Sequence, residues 1–124
     1  MQENSKVVLV VENDKFLANA YRIKCQNEDF EVLVASDGNE ALRILEEKTP
    51  NVILLDLVMP NKDGFEFMAE VNKDPELKKI PILITSNLEQ EEDVKKAMSM
   101  GAKDYVIKSD TPLEEILEKI RQYL

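Results

Sequence analysis

Short apolar runs alternate along the chain with stretches in which apolar residues recur at helical spacing. The runs lie at about Lys6 to Val11, Glu31 to Ala35, Asn51 to Asp56, Ile80 to Thr85 and Asp104 to Ile107. Each is rich in Val, Ile and Leu, as expected of strands covered on both faces. Between them, the helical stripes are Leu17, Ala20 and Ile23, then Ala41, Leu42 and Leu45, then Phe65, Met68 and Ala69, then Val94, Ala97 and Met98. The aliphatic stem of Lys24 extends the first stripe. A fifth stripe, Leu113, Ile116, Leu117, Ile120 and Leu124, follows the last run. Thr111-Pro112-Leu113-Glu114 predicts its start, with Thr111 as N-cap, Pro112 at the first helical position and Glu114 three residues after the cap. Asp37-Gly38-Asn39-Glu40 is a weaker start for the second helix, and Gly101 is expected just past the end of the fourth. Five βα units in succession predict an α/β fold: a doubly wound parallel sheet with helices on both faces and right-handed crossovers.

The 124 residues suit one domain spanning 1–124, with residues 1–5 expected to fray. Apolar residues make up 44% and charged residues 33%, the balance of a soluble globular chain. The longest strictly apolar run, Val7 to Val11, is far short of the roughly 20 residues of a membrane span. No secretory segment is expected from the polar Met1-Gln2-Glu3-Asn4, and the single Cys25 fits a reducing cytoplasm. Cys25 is expected on the first helix as a small apolar residue, and the phenylalanines as packing residues. A net charge of −9 argues against direct nucleic-acid binding. The chain has no histidine, so it carries neither a Ser-His-Asp triad nor a phosphohistidine of its own. Its glycines are scattered at 38, 64 and 101, and no phosphate-binding Gly-x-x-x-x-Gly-Lys-Ser/Thr motif is present.

Candidate chemistry collects at the strand ends. Asp56 ends the third run, and a buried carboxylate there is costly unless its charge is used. Met59-Pro60 and the turn dipeptide Asp63-Gly64 then take the chain away sharply. Glu12-Asn13-Asp14 follows the first run, Thr85-Ser86-Asn87 ends the fourth, and Lys108 ends the fifth. In open α/β sheets ligands bind beyond the carboxyl ends of the strands. Carboxylates, a hydroxyl and an amine gathered there suit an oxyanion together with a divalent cation. Taken singly, each has a plainer role: Asp14 as a helix cap, Ser86 as a turn residue, Lys108 on the surface, Tyr105 as packing.

In order and spacing these motifs resemble a response-regulator receiver domain. The matching stretches are Val10-Val11-Glu12-Asn13-Asp14, Asp56-Leu57-Val58-Met59-Pro60-Asn61-Lys62-Asp63-Gly64, Ile80 to Ser86 and Gly101 to Lys108, so the likeness covers essentially the whole chain. It implies a flavodoxin-like sheet of strand order 2-1-3-4-5 with five helices. It also implies a phosphoacceptor of two-component signalling, cytoplasmic and stand-alone, that catalyses only its own phosphorylation and dephosphorylation. By the resemblance, Asp56 is the phosphoacceptor nucleophile. Glu12, Asn13, Asp56 and the Val58 backbone carbonyl hold Mg²⁺ or Mn²⁺, with Asp14 as an alternative ligand. Lys108 pairs with phosphoryl oxygens, Ser86 moves to hydrogen-bond them, and Tyr105 is the aromatic switch that follows Ser86 inward. The implied partners are a histidine kinase or histidine phosphotransfer protein and a downstream protein target. That target would read the face formed by helix four, strand five and helix five, and a homodimer through the last two helices is also compatible.

Three positions depart from the family pattern: Asn13 for the usual Asp, Ser109 for a Pro, and Asn87 for a small residue at the entrance to the site. Asn13 and Ser109 motivate a second reading, a receiver-like binding module not controlled by phosphate. A third, a phosphohydrolase with an aspartyl nucleophile, conflicts with Val58, where such enzymes place a second Asp.

Overall fold

The computed structural model describes residues 6–26, 28–88 and 90–124, so the expected fraying of residues 1–5 lies outside the described residues. The elements run β1 (Lys6–Val11), α1 (Lys15–Lys24), β2 (Phe30–Ala35), α2 (Gly38–Glu47), β3 (Val52–Leu55), α3 (Gly64–Asn72), β4 (Ile82–Ser86), α4 (Glu91–Ser99), β5 (Asp104–Ile107) and α5 (Leu113–Arg121). Short 3₁₀ turns at Leu77–Lys79 and Lys108–Asp110 precede β4 and α5. All strand pairs are parallel, and the sheet order is β2-β1-β3-β4-β5. This is the expected five-stranded, five-helix architecture.

Strand alternation divides the core into two layers. Leu9, Val11, Ile53, Leu55, Ile82 and Ile84 pack toward α2, α3 and α4, where Ala41, Leu45, Phe67, Met68 and Ala97 meet them. Val8, Val10, Val52, Leu54, Leu83 and Val106 point the other way, onto Tyr21 of α1 and Ile116, Leu117 and Ile120 of α5. No described helix is long and apolar enough to cross a membrane.

Two helices differ from expectation. The buried positions of α1 are Ala18 and Tyr21, with Leu17 partly covered, and Cys25, expected on the helix, is buried just past its end as the C-cap. Ile23 is more than half exposed, and Lys24 pairs with Glu114 at 3.3 Å instead of extending the stripe. The face is rotated because the largest ring, Tyr21, takes the core side. At α5, Thr111 does not cap the helix. Its hydroxyl donates to the Ile107 carbonyl at 2.9 Å and closes the preceding 3₁₀ turn, so the helix begins one residue later with Pro112 as the cap. Phe16 is also unlike the other phenylalanines: it stands 91% exposed near the start of α1.

Other starts and stops agree. The Asp37 carboxylate accepts from the Glu40 N–H, and Gly101 follows the α4 C-cap with φ 108°, a left-handed conformation that glycine adopts freely. Asp63 and Gly64 do more than turn the chain. Asp63 forms a reciprocal capping box with Glu66, and Gly64 opens α3 against the backbone that leaves β3. A Cβ on Gly64 would lie 2.7 Å from both the Asp56 carbonyl oxygen and the Leu57 Cα. Neither backbone atom can yield cheaply. Gly64→Ala should therefore destabilise the fold by about 1–3 kcal/mol, the usual cost of overpacking. Urea denaturation measures this, and an unchanged midpoint would contradict the close approach.

Candidate functional site

Sheet register builds the site before any side chain is considered. Val11 pairs with Leu55, so the next residues, Glu12 and Asp56, leave β1 and β3 side by side. The ladders continue one step past the strands: the Glu12 N–H donates to the Ala35 carbonyl at 2.9 Å, and the Asp56 N–H to the Val11 carbonyl at 3.0 Å. Both carboxylates are thus carried on fixed backbone, and both residues are buried. Ser86 pairs with Ile107, so Asn87 and Lys108 likewise leave β4 and β5 as neighbours.

Lys108 lies two strands from Asp56, and its long side chain reaches back across the end of β4. Its Nζ donates to Glu12 Oε1 at 2.8 Å and to Asp56 Oδ2 at 3.1 Å. One ammonium therefore bridges two buried carboxylates. Burial alone would lower the Lys108 pKa, but the hydrogen bond to Glu12 and the charge of Asp56 outweigh it and the net shift is upward. Burial pushes the Glu12 carboxyl up, and the bonds from Lys108 and the Asp14 N–H oppose this only in part. Glu12 Oε2 accepts that Asp14 N–H at 3.0 Å, and Asp56 Oδ1 accepts the Val58 N–H at 3.2 Å.

Glu12, Asn13, Asp14, Asp56, Val58, Asn87, Leu88 and Lys108 line an open cleft of about 390 Å³. Asn13 lies on its exposed rim. Asp14 takes the helix-cap role, its Oδ1 accepting from the Phe16 and Leu17 N–H groups at 2.9 and 3.1 Å. Among the described residues, the Val58 carbonyl accepts no hydrogen bond. The cleft lining thus combines carboxylate and amide side chains, ligand types that Mg²⁺ and Mn²⁺ take.

Ser86 stands apart from this group. It is fully buried at the end of β4, and its Oγ accepts the Leu88 N–H at 3.2 Å. The Tyr105 hydroxyl donates to the Leu88 carbonyl at 2.8 Å, so Ser86 and Tyr105 hold the same loop from two sides. Burial raises the Tyr105 pKa despite a compensating contact with Ser86. Every peptide bond described is trans, including the one before Ser109.

Two contributors were not singled out from the sequence. The Tyr21 hydroxyl is buried with no hydrogen-bond partner among the described residues. Burial first, then the charge of Glu12, push its ionisation well up, with Thr85 acting against them, so it stays neutral. The spacing of Ala18, Tyr21 and Cys25 was the available signal. The second is a bond between loops: the Ser109 N–H donates to Asn87 Oδ1 at 2.8 Å. No local pattern points to that pairing.

The comparisons with known proteins agree with this geometry. The profile of the response regulator receiver domain matches residues 8–121. A probable transcriptional regulator, ycf27 of Cyanophora paradoxa, is 33% identical over 124 residues, covering all of this chain and 50% of that protein. The chain thus spans half the length of that curated relative. Chemotaxis protein CheY4 of Vibrio cholerae superposes with a TM-score of 0.88 at 28% identity, over 97% of this chain and 99% of that one. The Mn²⁺-bound form of response regulator Rcp1 gives 0.76 at 31% identity, over 94% and 90%. With strand order, register and an acidic cleft all in agreement, the chain belongs to the response-regulator receiver domain family.

Proposed function

We propose that the chain is a cytoplasmic phosphoacceptor switch in which Asp56 takes a phosphoryl group from the phosphohistidine of a histidine kinase or phosphotransfer protein. The observation that carries this reading is the Lys108 ammonium held between Glu12 and Asp56 at the carboxyl edge of the sheet. An Asp56 oxygen attacks phosphorus, the P–O bond forms, and the P–N bond to the donor imidazole breaks, leaving an acyl phosphate. The imidazole must come from the partner, since this chain has no histidine. Lys108, already 3.1 Å from Asp56, has its positive charge in place for the phosphoryl oxygens.

Glu12, Asn13, Asp56 and the Val58 carbonyl would hold Mg²⁺ or Mn²⁺, with Asp14, whose Oδ1 is taken by its capping bonds, as an alternative ligand. The ion supplies positive charge to the transferring phosphoryl oxygens. Asn13 brings an oxygen without a charge, which predicts weaker metal affinity than an aspartate there would give.

Phosphorylation adds roughly −1.5 to −2 charges and strong acceptor oxygens beside Asp56. The Ser86 hydroxyl, which now accepts from Leu88, then gains an acceptor of its own. Its reorientation releases the Leu88 N–H and loosens the loop that Tyr105 also holds. The surface formed by α4, β5 and α5 changes with it, and a downstream protein target reads the change. Such a switch biases two states that already exist. The domain acts on itself and turns over no separate substrate.

Incubation with a radiolabelled small phosphodonor tests the proposal. We expect Mg²⁺-dependent, base-labile labelling that disappears in Asp56→Asn and on chelation of the metal. Labelling that survives Asp56→Asn would refute the assignment, and no labelling with intact partner binding would favour the phosphate-independent module.

Removing the bridging cation gives a second test, read on folding. Lys108→Met leaves two buried carboxylates facing each other. It should cost about 3 kcal/mol at neutral pH, the low end for a broken buried pair because the ammonium keeps some water contact. Without Lys108 the folded-state Glu12 carboxyl rises further above its unfolded value. The native state then binds the extra proton, and the deficit should shrink as pH falls from 7 toward 5. Urea unfolding across that range measures it; a deficit that is constant or grows on acidification would contradict the bridge.

A further inference from the structure

The geometry points to Asn87 as a positioning residue that ties the segment presenting Ser86 to the segment presenting Lys108. The inference rests on the phosphoacceptor reading and adds to it a link between two loops of this chain. Ser86 and Lys108 are the two donors that must reach one phosphoryl group, yet they approach from different strands. Each is followed at once by a residue of the link: Asn87 after Ser86, Ser109 after Lys108. The Ser109 N–H donates to Asn87 Oδ1 at 2.8 Å across 22 residues of sequence.

The bond needs both residues. A proline at 109 would have no N–H to give, and a small side chain at 87 would have no acceptor to receive it. Asn87 and Ser109, met in the sequence as separate departures from the family pattern, are therefore partners in space. Both sides of the link are anchored. On the Lys108 side, the 3₁₀ turn Lys108–Asp110 is closed by Thr111 Oγ1 on the Ile107 carbonyl at 2.9 Å. On the Ser86 side, the Leu88 N–H rests on Ser86 Oγ and the Leu88 carbonyl receives the Tyr105 hydroxyl.

Asn87 and Lys108 also line the same cleft, so the link stands beside the reacting carboxylate. When the β4–α4 loop moves toward an anion on Asp56, the Asn87 amide carries that displacement to the turn behind Lys108. Without the link the two donors settle independently, and more conformational freedom must be lost on binding.

A double-mutant cycle read by NMR tests this, with beryllofluoride in Mg²⁺ as the phosphoryl mimic. The chains are wild type, Asn87→Ala, Ser109→Pro, the double variant, and Ser109→Ala, which keeps the N–H. We expect Asn87→Ala and Ser109→Pro each to weaken the mimic by about three- to tenfold, the range of one net hydrogen bond. The double variant should be no weaker than either single one, because both remove the same bond. Ser109→Ala should match wild type, and without ligand the amide of residue 109 should exchange faster in Asn87→Ala than in wild type. Additive losses, a wild-type affinity in Asn87→Ala, or a Ser109→Ala as weak as Ser109→Pro would each overturn the link while leaving the phosphoacceptor reading intact. A wild type that does not respond to beryllofluoride would overturn both.

Discussion

Two carboxylates and one ammonium organise the functional end of this molecule. Glu12 and Asp56 leave adjacent strands side by side, each almost fully out of water. Left alone, two such carboxylates repel each other. Lys108 resolves this from two strands away, its side chain reaching both carboxylates across the end of β4. The arrangement is poised rather than inert. The same charges that stabilise the resting state are the ones a phosphoryl group and a divalent cation would compete for.

The chain after Asp56 is shaped by the same need. The peptide must leave β3 sharply while the Val58 N–H stays bonded to Asp56 Oδ1 at 3.2 Å. Gly64 permits this by letting α3 begin in contact with the Asp56–Leu57 backbone. The Asp63–Glu66 capping box then fixes where the helix starts. Farther out, Asn61 takes a left-handed φ of 65°, and its amide donates to Asp37 Oδ2 at 2.8 Å, joining the loop to the start of α2. A short strand, a tight exit and a capped helix thus hold one oxygen-rich rim in place.

Much of this was legible in the sequence, for identifiable reasons. Val/Ile/Leu runs located the five strands because a parallel sheet buries both faces. Their ends placed Glu12, Asp56 and Lys108 on one edge, since every parallel strand ends at the same side. Less legible was whatever depended on competition between neighbours. Tyr21 displaced Ile23 from the buried side of α1 because ring volume, not hydropathy, decided the face. Thr111 had the composition of a cap, but its hydroxyl instead donates to the Ile107 carbonyl. The Asn87–Ser109 bond depends on the register between β4 and β5, which no local pattern encodes. Ser86 is at the expected strand end, and only the structure shows its hydroxyl turned to Leu88.

The most direct measurement is chemical localisation of the modified residue. The wild-type chain is incubated with Mg²⁺ and a small phosphodonor, reduced with borohydride, digested and sequenced by mass spectrometry. An acyl phosphate is reduced at its carbonyl, so residue 56 should appear as homoserine while Glu12, Asp14 and Asp63 remain intact. A reduced side chain at another acidic position (homoserine from Asp, its one-carbon-longer homologue from Glu), with Asp56 unchanged, would contradict the account at its centre.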